Sequence, residues 1–182
     1  MAGQKLTDKS ALTNHTGTGD LYMVVDVSDT TGSSAGTSKK LDSKYVIQTD
    51  KISVSNAEFT AMDDSAGAGT FKTLISAQGS GYMAVPLSVN IISTASDADN
   101  SNATLYLGWD ASQTSNYWET LVRFMRGSTG TITNCFSPTA LLSGNAATSI
   151  EDKPFLMYSS ANFDSTDLAA DVYVTYQVIK LS

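Results

Sequence analysis

Short runs in which apolar and polar residues alternate recur along this sequence, separated by stretches of Gly, Ser, Thr and Asn. One long run of this kind, DVYVTYQVIKL (171–181), lies near the C-terminus. Residues two apart on a strand share a face, so one face of this run carries Val172, Val174, Tyr176, Val178 and Lys180. The opposite face, which begins at Tyr173, is not wholly polar either. We therefore expect this strand to be covered on both sides, or partly covered by a neighbouring subunit.

Further strands are predicted from the same alternation and from β-branched residues. They are LYMVVDV (21–27), AEFTAM (57–62), FKTLISA (71–77), YMAVPLSVNIIS (82–93), TLYLGW (104–109), ITNCF (132–136) and PFLMY (154–158). Pro86 indicates an edge position or a bulge, because proline cannot donate to a β-ladder. Many short strands joined by Gly- and Ser-rich loops predict a mainly β chain, an antiparallel β-sandwich of jelly-roll-like form.

One helix is predicted between residues 116 and 127. Asn116 and Glu119 fit a capping box, and Gly127 is a natural stop. The apolar residues between them recur at helical spacing: Tyr117, Trp118, Leu121, Val122, Phe124 and Met125. A strand over the same residues is the alternative.

The chain divides by composition into two parts. Residues 1–48 hold the strand 21–27, the soft stretch SDTTGSSAGTS and a short returning strand at 39–41, and they predict a small β-hairpin module. The soft stretch either spaces the two strands or stays mobile. A lone hairpin is marginally stable, so this module needs something on which to lean. Residues 49–182 are expected to form the sandwich.

Composition and charge exclude several functions. Charged residues make up 16% of the chain, well below the roughly 25% usual for soluble domains. The net charge of −7 argues against a nucleic-acid partner, which would need a cationic footprint, and against an anionic membrane surface. The only basic clusters are Lys39–Lys40 and Arg123 with Arg126, both interpreted as solvated surface. No apolar run is long enough to span a bilayer, and MAGQKLTDKS lacks the apolar core of a signal peptide, so we expect cytosolic synthesis.

No catalytic residues, cofactor or metal are predicted. His15 is the only histidine and is interpreted as a loop residue; Cys135 stands alone and is interpreted as an inert core residue. DADNSN (97–102) resembles the start of a calcium loop, but it lacks the later Gly and Glu, so a polar connection is the favoured interpretation and a weak ion site the alternative. Trp109, Tyr117 and Trp118 are predicted to pack in the core, with an exposed sugar-stacking patch as the alternative.

Three segments resemble parts of structural proteins of tailed bacteriophages. GDLYMVVDVSDTTGSSAGTSKKLDSKYVI (19–47) resembles an N-terminal module recurrent in those virion proteins. EDKPFLMYSSANFDSTDLAADVYVTYQVIKL (151–181) is similar to the last two strands of a phage head- or tail-associated β-domain, and LISAQGSGYMAVPLSVNIISTA (74–95) to its opening. Residues 103–150 match nothing in that family, and we expect partner-specific surface there.

The resemblance implies a fold and a virion location rather than an active site. It favours a non-enzymatic protein that decorates or cements the capsid through an N-terminal anchor, and it implies a homotrimer, the way such proteins commonly assemble. The implied partner is the major capsid protein or another virion subunit. The expected contacts are the strand edge with Leu21, Tyr22, Val24 and Val25, together with Lys39 and Lys40.

Two alternatives remain at this point. One is a short tail-fibre or baseplate component that recognises the host surface. The other is a carbohydrate-binding module. Either would use the patch of Trp109, Tyr117 and Trp118 for surface recognition.

Overall fold

The computed structural model describes residues 21–32, 34–42, 45–62, 70–109, 117–137 and 150–181. The chain forms two compact units, Met1–Val46 and Ile47–Ser182. In the first unit, β1 (Leu21–Asp26) pairs antiparallel with β2 (Thr37–Asp42), from Leu21 opposite Asp42 to Asp26 opposite Thr37. The predicted N-terminal hairpin is confirmed.

The second unit is an antiparallel sandwich of two four-stranded sheets, ordered β3-β10-β5-β8 and β4-β9-β6-β7. Its elements are β3 (Gln48–Val54), α1 (Asn56–Ala61), β4 (Lys72–Ile75), β5 (Tyr82–Ala95), β6 (Leu105–Gly108), β7 (Tyr117–Leu121), β8 (Gly130–Phe136), β9 (Phe155–Ser159) and β10 (Ala169–Lys180). The predicted mainly β, antiparallel fold is confirmed.

The core lies between the two sheets and follows from the alternation in the sequence. One sheet contributes the fully buried Val172 and Val174 of β10 and Ile91 of β5 to this core. The other sheet contributes Leu107 of β6 and Met157 of β9. Burial of such a side chain stabilises the fold by roughly 1.5–3 kcal/mol. In β5 and β10 the apolar face therefore decides which side of the sheet turns inward.

Within the described part of the chain, only one face of β10 is covered. Tyr173 and Thr175 on the opposite face are partly exposed, and Gln177 and Ile179 are exposed. The expectation of cover on both sides is therefore not met by the chain alone, and cover by a neighbouring subunit stays a prediction.

The predicted irregularity at Pro86 is confirmed as a bulge. The register between β5 and β10 shifts between Thr175 and Tyr176, because Thr175 pairs with Ser88 and Tyr176 with Pro86. One residue of β5 is thus left without an opposite partner at this point. At Pro86 the strand pairs only with β10, because β8 pairs with β5 from Val89 to Ala95, so the missing N–H of proline removes no hydrogen bond to β8.

Two assignments of secondary structure were wrong. AEFTAM is not a strand: α1 begins there, after a capping box in which Ser55 and Glu58 exchange hydrogen bonds, with Ser55 N–H donating to Glu58 Oε2 at 2.8 Å. Residues Tyr117–Leu121 are not helical, because they form β7 against β6, where Leu121 lies opposite Leu105. Asn116 lies outside the described residues. β3 was not predicted.

Helix α1 is attached to the sandwich by a group of three aromatic rings. Phe59 is fully buried, lies edge-on to Phe163 with ring centroids 5.4 Å apart, and stacks on Phe124 at 6.1 Å. Phe124 and Phe163 also meet edge-on, at 5.9 Å. The rings join α1 to the turn after β7 and to the loop before β10.

Candidate interaction surfaces

The loop of the N-terminal hairpin is closed by its own polar side chains. Asp26 Oδ1 accepts hydrogen bonds from the N–H and the hydroxyl of Ser28, at 3.0 and 2.6 Å. Asp29 Oδ1 does the same for Thr31, at 3.0 and 2.6 Å. Such Asx turns fix the backbone locally. Of the two interpretations of this stretch, the described residues favour a spacer of defined shape.

The electrostatics of the loop centre on Asp29. Its Oδ2 accepts a hydrogen bond from Lys39 Nζ at 2.5 Å. This bond, together with those from Thr31, lowers the pKa of Asp29 to about 2. Both predicted contact lysines, Lys39 and Lys40, are exposed, and Lys39 is in addition held by a carboxylate of its own hairpin.

The hairpin presents apolar side chains on both faces. Val24, Val25 and Val27 are 38%, 57% and 76% exposed. Neighbouring residues of a strand point to opposite faces, so neither face of the hairpin is fully covered at Val24 and Val25. Leu21 and Tyr22 lie in β1 as predicted, and their side chains are outside the described structure. A hairpin of this kind is expected to gain stability by docking.

The exposed aromatic patch is not formed by the two tryptophans. Trp109 and Trp118 are only 2% and 7% exposed, and both lie edge-on to Phe155. The indole N–H of Trp109 donates to the carbonyl of Ala84 at 3.2 Å. Large rings gain most where their apolar area is removed from water and the N–H still finds an acceptor. Tyr117 begins β7, and its side chain is outside the described structure.

The DADNSN loop is fastened to a second acidic loop, which precedes β10. Asp99 is fully buried; its Oδ1 accepts the N–H of Asp164 at 2.9 Å and its Oδ2 the hydroxyl of Ser101 at 2.8 Å. Asp97 Oδ2 accepts the N–H and the hydroxyl of Thr166, at 2.9 and 2.8 Å. The carboxylates therefore act as acceptors for loop donors. No set of three or more described metal-ligating residues is arranged to hold an ion.

The pKa values of Asp99 and Asp164 are shifted in opposite directions. Burial raises the pKa of Asp99, and the N–H of Asn100, which donates to Asp164, lowers the pKa of that carboxyl. The folded state therefore holds a proton on Asp99 more tightly than the unfolded chain does. That contribution to stability is complete below the unfolded pKa of about 3.9 and is lost as the pH rises through the folded pKa. The Asp164 contribution has the opposite sign and is lost as the pH falls.

Cys135 is exposed on edge strand β8, so its interpretation as a core residue was wrong. Ile132 and Phe136 of the same strand pack against the core, and Cys135 alternates with them onto the other face. His15 lies outside the described residues. None of the described helices is long and apolar enough to cross a membrane.

Comparison with known proteins gives distant structural likenesses. No protein-family model and no curated protein matches the sequence. Among solved structures, the chain is similar to one in the cyanophage Pam1 capsid asymmetric unit, at 16% identity and a TM-score of 0.41, with 100% of both chains covered. It is also similar to a chain of the acidic stable capsid structure of Helicobacter pylori bacteriophage KHP30, at 14% identity and a TM-score of 0.28, covering 74% of this chain and 99% of that one.

Proposed function

We propose that this chain is a non-enzymatic structural protein of a bacteriophage virion, which decorates or cements the capsid as a homotrimer. The hairpin β1–β2 anchors it to the major capsid protein or to another virion subunit. The observation that carries this proposal is the hairpin surface, where Val25 and Val27 are 57% and 76% exposed beside the exposed Lys40. The resemblance of residues 19–47 to a phage virion module supports the same role.

The mechanism is burial of this surface on the shell. Removing the exposed parts of three valines from water stabilises a complex at roughly 25 cal/mol per Å² of apolar area, before the costs of association. Lys40 adds a positive charge that suits an acidic shell surface. Because the Asx turns already order the loop, less conformational entropy is lost on docking than for a mobile loop.

The tail-fibre and carbohydrate-binding alternatives have less support. Both relied on an exposed aromatic patch, and Trp109 and Trp118 are buried. No described feature favours either alternative over decoration.

Co-sedimentation with capsids that lack this protein tests the anchor. Val25→Asp in the full-length chain is expected to weaken binding at least about tenfold, because a charge would be buried in the contact. The matched control is Phe71→Asp, since Phe71 of the sandwich unit is similarly exposed, at 49%. Equal binding by Val25→Asp and the wild type would refute the hairpin as anchor. Binding lost equally by both variants would also count against it.

A further inference from the structure

The chain has only two arginines, and both line one groove at the end of β7. This arginine groove, of about 210 Å³, is lined by Val122, Arg123, Arg126, Ile132 and Asn134 among others. The other Lys and Arg positions of this acidic protein are all lysines. Two arginines in the same groove therefore indicate a site that needs the guanidinium group in particular. The planar guanidinium binds carboxylates through two parallel hydrogen bonds, which lysine cannot do.

The backbone holds the groove in an unusual conformation. Arg123 and Met125 have φ of 55° and 59°, in the left-handed region that is unfavourable for side chains with a Cβ. The turn is fixed by the burial of Phe124 and Met125, which are 3% and 5% exposed, and by the Phe124 N–H, which donates to the carbonyl of Ala103 at 3.2 Å. The two buried neighbours therefore fix the position of the Arg123 backbone at the surface.

Neither arginine has a carboxylate partner among the described residues, whose ion pairs join Lys39, Lys51 and Lys72 to other acids. Arg126 donates instead to the neutral side chain of Asn102. The guanidinium groups are thus left with hydrogen-bonding capacity and charge that this part of the chain does not use.

The two acidic loops hold unpaired charge of the opposite sign. Asp97, Asp164 and Asp167 are exposed, and in the described structure their carboxylates accept hydrogen bonds from N–H and hydroxyl groups rather than from cations. These three residues are called the acidic loop face below. It adjoins the arginine groove, because the N–H of Gly127 donates to the carbonyl of Asp99 at 2.8 Å.

An apolar, uncharged surface continues from the groove. Val122 is 72% exposed, and Ile132 is half-buried. Strand β8, at the edge of its sheet, is GTITNCF and carries no charged residue. Sheet edges that face water are usually protected by charges or proline. An uncharged edge that no described strand covers, next to the exposed Val122, is therefore typical of a surface that becomes covered.

We propose that the occupant of this surface is a second copy of this chain, whose acidic loop face meets the arginine groove. In a homotrimer each contact is heterologous, so the arginine groove of one copy meets the acidic loop face of the next, and the two patches of opposite sign on one molecule supply both halves of that contact. Val122 and Ile132 supply the apolar centre and the charged groups the rim, the usual anatomy of an interface. This inference rests on the proposed assembly of copies and identifies the surface that would join them.

Sedimentation equilibrium of the purified full-length protein tests the contact without capsids, so its failure can be told apart from failure of the anchor. The wild type is expected to self-associate. Arg123→Glu is expected to weaken self-association at least about tenfold, because the reversed charge would face the acidic loops. Lys180→Glu is the matched control: it makes the same charge change on an exposed residue at the far end of β10. Circular dichroism and the melting temperature verify that both variants are folded.

Asp164→Asn provides a second measurement from the opposite partner. An amide keeps an oxygen that can accept the N–H of Asn100, which donates at 2.6 Å to Asp164, while the charge is removed. It is expected to weaken association in the same direction as Arg123→Glu. A wild type that stays monomeric overturns the proposal, and so does an Arg123→Glu variant that associates as tightly as Lys180→Glu.

Discussion

Replacing Phe59 with alanine is expected to lower the free energy of unfolding of the sandwich by about 3–5 kcal/mol, the range for large-to-small changes of a buried phenylalanine. The upper half of that range is favoured. The ring is fully buried and contacts two others, at 5.4 and 6.1 Å, and each aromatic pair contributes about 0.5–1.5 kcal/mol beyond its buried area. Helix α1 would lose its one buried side chain.

Urea unfolding followed by tryptophan fluorescence measures this loss, because Trp109 and Trp118 are buried in the same unit. Phe71→Ala is the control: it removes the same ring from a site that is 49% exposed and should change stability by no more than about 0.5 kcal/mol. If Phe59→Ala costs less than about 1 kcal/mol, or no more than the control, then the three-ring cluster does not hold α1 and the reasoning fails.

Three further predictions concern charges and backbone. Asp99→Asn should flatten the pH dependence of sandwich stability, because an amide cannot lose the proton that the wild type gives up as the pH rises. Thermal melts from acid to neutral pH measure this dependence. The same dependence in the variant and the wild type would contradict the prediction. Acidification through the range between the unfolded pKa of about 3.9 and the folded pKa of about 2 for Asp29 should loosen the hairpin. Amide exchange in β1 and β2 reports that loss, and exchange that is constant over this range would count against it. Gly36→Ala should disrupt the hairpin more strongly, since Gly36 has φ of 112° and an added Cβ would lie 2.8 Å from the carbonyl oxygen of Asp26; NMR shifts of β1 like those of the wild type would disprove it.

Strands whose apolar residues alternate could be predicted from sequence. DVYVTYQVIKL and YMAVPLSVNIIS contain strands of the structure, since in both the alternation in sequence is largely the alternation of burial. PFLMY was predicted as a short apolar run instead, and its strand is buried at every residue. The bulge at Pro86 could be predicted for a chemical reason, because the residue has no N–H to give to a ladder.

The errors have physical causes too. Phe124 and Met125 are buried by a turn that contains left-handed residues. Together with Trp118 and Leu121 they match a helical period by coincidence. Only the pairing of Tyr117–Leu121 with β6 shows that these residues form a strand. The sequence signal for helix α1 is the capping box of Ser55 and Glu58. In β3 the residues Asp50 and Lys51 interrupt the apolar pattern, as is usual at an edge.

The surfaces were harder to predict than the fold. The acidity of DADNSN was visible in the sequence, but its link to Asp164 and Thr166 depends on two loops far apart in the chain. The exposure of Trp109 and Trp118 could not be decided without knowing which rings surround them. The exposure of Val25 was easier to predict, because a two-stranded element has no interior in which to bury it.

The position of β10 has a consequence for the synthesis of the chain. This strand pairs with β3 on one side and β5 on the other, so residues 169–180 form the middle of their sheet although they come late in the chain. A polypeptide interrupted before residue 169 would leave β3 without a neighbour and β5 with only β8. Such a fragment could not close its hydrophobic core. Fragments from interrupted synthesis would thus be left to proteases, and only chains that include β10 would complete the fold.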